Sequence, residues 1–447
     1  MRTGPTTSGQ RPSYQEDVAP TTLQTGQARL GTTLPNLYQE DVAVTTPPTG
    51  PLLTINTGSS SLKAALYAPD RWEQRELAVR VDRIGSAGGS LHVADAGGTT
   101  VWEEQRDLPN HEAALTMFLD WLRRERPDRE PVAVGHRIVY GGPRYHAPQV
   151  ITADLIAGLR ELVSIDPDHL PQAISAIEAV TRAYPSIPQV ACFDTAFHRA
   201  MPDVAQQYAL PRSLREAGVL RYGFHGLSYE YVLQKLRTLD PDAAAGRLII
   251  AHLGNGASMA AVRDGRALDT TMGFTPTGGL MMGTRSGDLD PGVLLYLLQT
   301  RGMRPDAISA LVNHQAGLLG VSGTSSDMRE LLDREGTDPA AAEAIALFCY
   351  QAMKFLGALV AVLGGLDTLV FTGGIGEHAA PVRQRICAGL TFLGLQIDPR
   401  RNAAHAPVIS DGNSRVTARV IQTDEDLMIA QHSHHCLREQ GDDHVSV

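Results

Sequence analysis

The sequence predicts an α/β fold built on a duplicated unit, and three observations carry that expectation. Two segments, LLTINTGSSSLKAALY at 52–67 and LIIAHLGNGASMAAVRDG at 248–265, share one plan. Each is an apolar run, a polar glycine turn and a second, alternating apolar run, the pattern of two strands about a turn. A third strand signal, DTLVFTGGIGEH at 367–378, also runs into glycines. Between these segments lie stretches of helical period such as HEAALTMFLDWLRR at 111–124, with apolar residues three or four apart on one face. Repetition of the first two segments implies two similar lobes, each bringing one glycine turn to its own side of a cleft.

In the first turn Gly58 lets the chain tighten. The hydroxyls of Ser59, Ser60 and Ser61 join the local amides in facing phosphate oxygens, and Lys63 supplies positive charge. The second turn places Gly254, Asn255, Gly256 and Ser258 after the strand at 248–252, and the third offers Gly373, Gly374 and Gly376 beneath a nucleotide. A lone strand-glycine-strand is usually only a hairpin. Three in one chain, together with GTRSGDLDP at 283–291, are read as a nucleotide clamped between the lobes. In that string two glycines leave room for a ligand, Arg285 offers a planar fork for oxyanions, and Asp288 and Asp290 are placed to orient the fork or a metal.

Length and charge agree with this reading. The 447 residues suffice for two domains with sizeable cores. A net charge of −10 excludes a generally basic nucleic-acid surface, so an anion site must be built locally and no nucleic-acid partner is expected. Cys192, Cys349, Cys387 and Cys436 lack metal-ligand spacing, which fits a reducing, cytoplasmic compartment. The apolar stretch at 355–363 is preceded by Lys354 and ended by Gly364 and Gly365, short of the ~20 residues of a membrane span. It reads as a buried or dimer-interface helix, with no membrane partner. Residues 1–49 form a Thr-, Pro-, Gly- and Gln-rich tail without the apolar core of a signal peptide, expected to be disordered. YQEDVA occurs in it twice, at 14–19 and 38–43, so Tyr14 and Tyr38 offer a bivalent docking peptide as the sharper alternative, with its partner unknown. His432, His434 and His435 offer ligands to an adventitious metal but read first as a solvated terminus.

The motifs resemble the acetokinase family, the acetate and propionate kinases of the superfamily that includes actin, sugar kinases and Hsp70. NTGSSSLK at 56–63, GHRIVYGG at 135–142, FDTAFH at 193–198, RYGFHG at 221–226 and HLGNG at 252–256 carry the resemblance. GTRSGDLDP, SSDMR at 325–329, FTGGIGEH at 371–378 and TDEDLMIA at 423–430 complete it over about residues 51–431. The resemblance implies a two-domain actin-like fold of ribonuclease H-like duplicated domains with the nucleotide between them. Domain I would span 50–196, completed by a C-terminal helix at 427–447, and domain II 197–426. It also implies a homodimer, ATP as donor, Mg²⁺ (or Mn²⁺ in its place), and transfer of the γ-phosphoryl group to acetate.

Residue by residue, the resemblance assigns Arg137 and Arg285 to the carboxylate and the transferring group, and His225, with Arg285, to stabilising the transition state. Asp194 would help to place the metal, and Asn56 and Glu425 would hold it. Val139, Phe224 and Pro276 would form the apolar acetate pocket with Arg137. Lys63, Ser59 and Ser61, then His252, Leu253, Gly254, Asn255 and Gly256, would meet the phosphates. Asp327, Met328, Arg329, Gly374, Ile375 and Gly376 would meet the adenosine. The chain departs from the family at Leu227 and Tyr229, which stand where a threonine and a histidine are usual. It departs again in PDHLP, where Asp168 replaces a leucine of the acetate pocket; Asp168 is expected either to turn away towards a cation or to cede the pocket to Leu170. Propionate or another short acid is the close alternative substrate, pyrophosphate the alternative donor, and a nucleotide-binding switch the alternative class.

Overall fold

The computed structural model describes residues 50–58, 60–68, 71 and 73–443. The expected disorder of the tail, its YQEDVA repeats and the role of Ser59 lie outside the described residues. Eight strands form one sheet: β1 (Leu52–Thr57), β2 (Ser61–Tyr67), β3 (Arg75–Asp82), β4 (Ser90–Asp95), β5 (Thr100–Gln105), β6 (Ala133–Ile138), β7 (Gln149–Val150) and β8 (Gln189–Phe193). Five form the other: β9 (Leu248–Leu253), β10 (Ala257–Arg263), β11 (Arg266–Thr270), β12 (Thr368–Thr372) and β13 (Thr417–Val420). The strand orders are β5-β4-β3-β2-β1-β6-β8-β7 and β11-β10-β9-β12-β13.

The duplication lies in those orders. In the first sheet β3-β2-β1 is an antiparallel meander and β1, β6 and β8 run parallel. In the second, β11-β10-β9 is the meander and β9, β12 and β13 run parallel. The two glycine turns that repeat in the sequence are the β1–β2 and β9–β10 connections, so each sits at the same place in its lobe. The third turn departs from the hairpin reading. Gly373–His378 is a short helix that follows β12 directly, because β12 continues to a parallel partner and needs a crossover.

Helices cover both faces of the first sheet. His111–Glu125 starts where the Asn110 side chain accepts from Ala113 N. Its buried face joins Leu170–Ala183 over one side of the sheet. The C-terminal helix Glu425–Asp443 returns to the other side, against β1, β6 and β8. It approaches so closely that a Cβ on Gly135 would stand 2.2 Å from Ser433 Oγ and 2.6 Å from Ile429 Cγ2, which accounts for the first glycine of GHRIVYGG. His432 in this helix is not a solvated terminus: it is half-buried and pairs with Glu230 of the helix Gly226–Leu239.

The apolar stretch at 355–363 proves to be the end of a 25-residue helix, Pro339–Leu363, capped by Asp338 and stopped by Gly364 at φ 71°. The alanine-rich segment ahead of Lys354 is helical too, so the helix is longer than that charge suggested. Among the described residues it alone has the length and apolar composition of a membrane-crossing helix. Its apolar face, including Ile345, Phe348, Leu356 and Leu359, belongs to the largest apolar cluster and packs against β9, β10 and β11.

Candidate active site

Parallel strands end together, and the side chains just beyond their carboxyl ends converge. β1, β6 and β8 are adjacent, so Asn56, Arg137 and Asp194, 138 residues apart in sequence from first to last, meet at one edge. Asp194 is 0% exposed. Arg137 forks onto it, with Nε at 3.0 and 3.1 Å from the two oxygens and a terminal nitrogen at 2.6 Å from Oδ2. The other terminal nitrogen donates to Asn56 Oδ1 at 3.0 Å and lies 3.3 Å from Glu425 Oε2. Asn56 Nδ2 donates to the same Glu425 oxygen at 2.9 Å. Burial pushes the Asp194 carboxyl up against the pull of the Arg137 fork, whose N–H donors reach both of its oxygens. Glu425 is held low: Arg137 and the other positive groups outweigh its burial.

The first turn is braced by a residue the sequence did not single out. The His111 ring meets the Gly58 carbonyl at 2.8 Å, and Gly58 N donates to Ser61 O. Lys63, paired in register with Asn56, is exposed.

The second lobe contributes a neutral donor and a cation. His225 occupies the left-handed region at φ 61° and ψ 24°, an uncommon place for a residue with a Cβ. Its position follows from Gly226, where a Cβ would lie 2.0 Å from Asp194 O. The His225 ring stacks on His252 at 4.2 Å. Burial, then the neighbouring His252 ring and the charged Arg137 and Arg285, hold it well below the usual histidine range, so it is neutral. A Cβ on Gly256 would stand 3.3 Å from His225 Nε2 and 3.8 Å from an Arg285 terminal nitrogen, so turn, imidazole and guanidinium converge there. The Arg285 loop is seated on the same turn: Gly283 N donates to Asn255 O at 2.9 Å, and a Cβ on Gly283 would meet Asn255 Oδ1 at 2.0 Å.

Arg285 differs from Arg137 in its partners. Its terminal nitrogens reach Pro276 O at 3.2 Å and His169 Nε2 at 3.1 Å, and no carboxylate touches it among the described residues. Asp288 and Asp290 do not orient it. Asp288 accepts from Gly279 N and Asp290 caps the helix Pro291–Gln299 through Gly292 N, so both serve the local backbone. The orienting group is His169, whose Nδ1 lies 2.7 Å from buried Asp166. PDHLP drew attention to Asp168, but the relevance of His169 depends on a residue 116 positions away. Asp168 itself faces His314 at 3.3 Å, and Leu170 is 0% exposed in the apolar cluster that contains Val139 and Phe224. Pro276 is buried and contributes its carbonyl to Arg285.

The third glycine run adjoins the second turn, since a Cβ on Gly254 would be 3.9 Å from Gly374 N. Glu377 fastens it by accepting from Gly373 N and Thr423 N, and buried Arg383 donates to the carbonyls of Gly376 and Glu377. Gly374 is exposed and Ile375 half-buried. Across from them Asp327 caps the helix Met328–Arg334, accepting from Arg329 N and Glu330 N, and the Met328 side chain is in the core. Any contact of Met328 with a ligand would therefore be made by its backbone. Leu253 is buried, while Asn255 and the Arg329 side chain are exposed.

Residues 51–431 match the model of the acetokinase family. The chain is 48% identical over 389 residues to an acetate kinase of Rhodopseudomonas palustris, covering 85% of this chain and 97% of that protein. The crystal structure of an acetate kinase of Porphyromonas gingivalis superposes with a TM-score of 0.76 at 39% identity, over 87% of this chain and 100% of that one. A propionate kinase of Francisella tularensis gives 0.81 at 35% identity, over 86% and 99%. The α/β architecture of two actin-like lobes is that of these kinases.

Burial drives His136, His198 and His252 each down to about 4. The unfolded chain takes up protons near pH 6.5 that the folded chain refuses until about pH 4. The stability they allow is complete above about pH 6.5 and is lost as pH falls, by up to ~1.4 kcal/mol per pH unit for each. Asp426, pushed up to about 6 by burial, opposes this below pH 6, as do Asp194 and Asp269, whose carboxyls burial also raises; His225 and His111, held low as well, keep the balance with the histidines. Denaturant unfolding is expected to show a net fall in stability from about pH 7 to about pH 5, and a flat or rising profile would contradict the burial of these rings as neutral groups.

Proposed function

The chain belongs to the acetokinase family, and on that premise we propose that it transfers the γ-phosphoryl group of ATP to acetate, reversibly and by direct in-line displacement, giving acetyl phosphate and ADP. Donor, acceptor and transferring group are all negative, so the protein's contribution is position and positive potential. The convergence of His225 Nε2 and Arg285 on the Gly256 turn carries the reading. Arg285 has no carboxylate in contact, so its charge is available to the equatorial oxygens, and His225 adds a neutral N–H. Arg137, held by Asp194, Asn56 and Glu425, orients the acceptor carboxylate. Val139, Phe224 and Pro276 face its methyl group and exclude water.

Mg²⁺ fits the same edge. Glu425 Oε2 is occupied by Asn56 and Arg137, whereas Oε1 has no partner among the described residues. An ion that prefers oxygen ligands and retains several waters suits a single free carboxylate oxygen beside the Asn56 amide. Bound there, it would neutralise charge on the β- and γ-phosphates. Lys63 and the turns at Ser61 and at 252–256 would take the remaining phosphate oxygens, and the 327–329 and 374–376 segments the adenosine. We place the domain division at 50–196 with the C-terminal helix, and 197–426.

Hydroxylamine trapping of acyl phosphate over a panel of C1 to C5 acids tests this reading. Acetyl hydroxamate is expected with Mg-ATP and none without the metal. Arg285→Lys should lose on the order of a hundredfold in kcat, because Lys keeps the charge without the fork. Asp168→Leu should leave acetate KM within about fivefold, since its contact is with the exposed His314 side chain and contributes little. ATP hydrolysis with no acyl phosphate from any acid would replace the kinase by a nucleotide-dependent switch. A propionate optimum would select the alternative substrate.

The helix Pro291–Gln299 buries none of its residues; Val293, Leu295, Tyr296 and Leu298 are exposed along it and Leu289 just before it. We propose that a second copy of the chain covers this apolar face. Sedimentation at the mass of a dimer is expected, with Leu295→Lys shifting it to monomer; a wild-type monomer at micromolar concentration would refute the homodimer.

A further inference from the structure

Tyr229 stands where the family usually has a histidine, and it is wired to the catalytic ring. His225 Nδ1 lies 2.8 Å from the Ser258 hydroxyl, and Ser258 Oγ is bonded in turn to the Tyr229 hydroxyl. Tyr229 and Ser258 are both 0% exposed. The Tyr229 hydroxyl has no other partner among the described residues. The chain of bonds therefore has one direction. A buried phenol with a single neighbour must give its hydrogen to that neighbour or leave it unsatisfied, which is costly where both groups are fully buried. Ser258, accepting from Tyr229, has one hydrogen of its own, and Nδ1 of His225 is where it goes. Nδ1 is then an acceptor, and a neutral ring must carry its proton on Nε2. That is the edge facing Gly256 and Arg285.

We propose that Tyr229, acting through Ser258, is a positioning residue that fixes the His225 ring proton on Nε2 and so keeps an N–H aimed at the site of phosphoryl transfer. Its catalytic consequence rests on the reading given under Proposed function. The neighbouring ring repeats the arrangement: Thr423 Oγ1 donates to Ser228 Oγ at 2.9 Å, and Ser228 Oγ lies 2.8 Å from His252 Nδ1. Both stacked imidazoles thus meet a serine at Nδ1, and each serine meets a second hydroxyl. Leucine at position 227 agrees with this division of labour. It is buried in the apolar cluster under the C-terminal helix and adds no competing hydroxyl next to the pair.

Nitrogen NMR of the full chain with ¹⁵N-labelled histidine, His225 being assigned by loss of its signals in His225→Asn, reads the tautomer directly. Wild type is expected to show Nε2 protonated and Nδ1 bare, and Tyr229→Phe a mixture of the two tautomers. In steady-state assays Tyr229→Phe should lower kcat roughly tenfold while KM for ATP and for the acid stays within about twofold. The double variant with Ser258→Ala should be no slower than Ser258→Ala alone, because the two residues act in series. A wild-type His225 protonated on Nδ1, an unchanged tautomer and kcat in Tyr229→Phe, or losses that multiply in the double variant, would each overturn the relay. The spectrum needs no turnover, so an Nε2 tautomer in a chain that makes no acyl phosphate would retain the relay and remove only the kinase reading.

Discussion

Two guanidinium groups share one cleft, and the site depends on their being neutralised differently. Arg137 is locked by a bidentate bond to fully buried Asp194 and by a second carboxylate, Glu425. Arg285 touches a carbonyl and an imidazole; Asp166, bonded to His169, and Asp168 act on it without touching it. Burying like charges close together is unfavourable unless each finds a counter-ion. One finds its counter-ions in the protein; the other is left to find it in the substrate. An anion entering the cleft gains the most from Arg285, which is the condition for a site that binds a transferring phosphoryl group better than its own empty state.

Backbone proximity makes this arrangement possible. Gly226 lets the His225 corner rest on Asp194 O, and Gly283 lets the Arg285 loop rest on Asn255; a methyl group at either position would meet its neighbour at 2.0 Å. The two lobes therefore touch through backbone where the His225 corner meets Asp194, while the Gly283 contact ties the Arg285 loop to the second glycine turn within its own lobe. The hydroxyl pairs behind His225 and His252 complete the design, because a neutral imidazole donates from the useful edge only if its other nitrogen is an acceptor.

Much of the fold was legible because its duplication is local: each glycine turn joins two adjacent antiparallel strands, and a hairpin leaves its period in the sequence. What depended on distant partners was not. The third glycine run opens a helix, since the parallel partner of β12 lies over forty residues downstream. Asp288 and Asp290 read as ligands and serve as backbone caps, the commoner task for aspartate beside glycine and proline. Motif resemblance brought Asn56, Arg137, Asp194 and Glu425 to notice, and the structure joins them by hydrogen bonds. His111, His169 and Ser258 act only through residues remote in the chain, so no spacing announced them. Tyr229 was visible as a departure, and its task appeared only with Ser258 beside it.

Arg285, unlike Arg137, is a cation that no carboxylate touches among the described residues. Unfolding free energies of the ligand-free protein with Arg285→Met and with Arg137→Met separate the two roles, since Met fills similar volume without charge. Arg285→Met is expected to be as stable as wild type or more stable, because Asp166 keeps its His169 partner. Arg137→Met is expected to lose about 3–5 kcal/mol by stranding Asp194. Comparable losses in the two variants would contradict this, showing that both arginines are structural ion-pair partners and that no cation is held in reserve for the substrate.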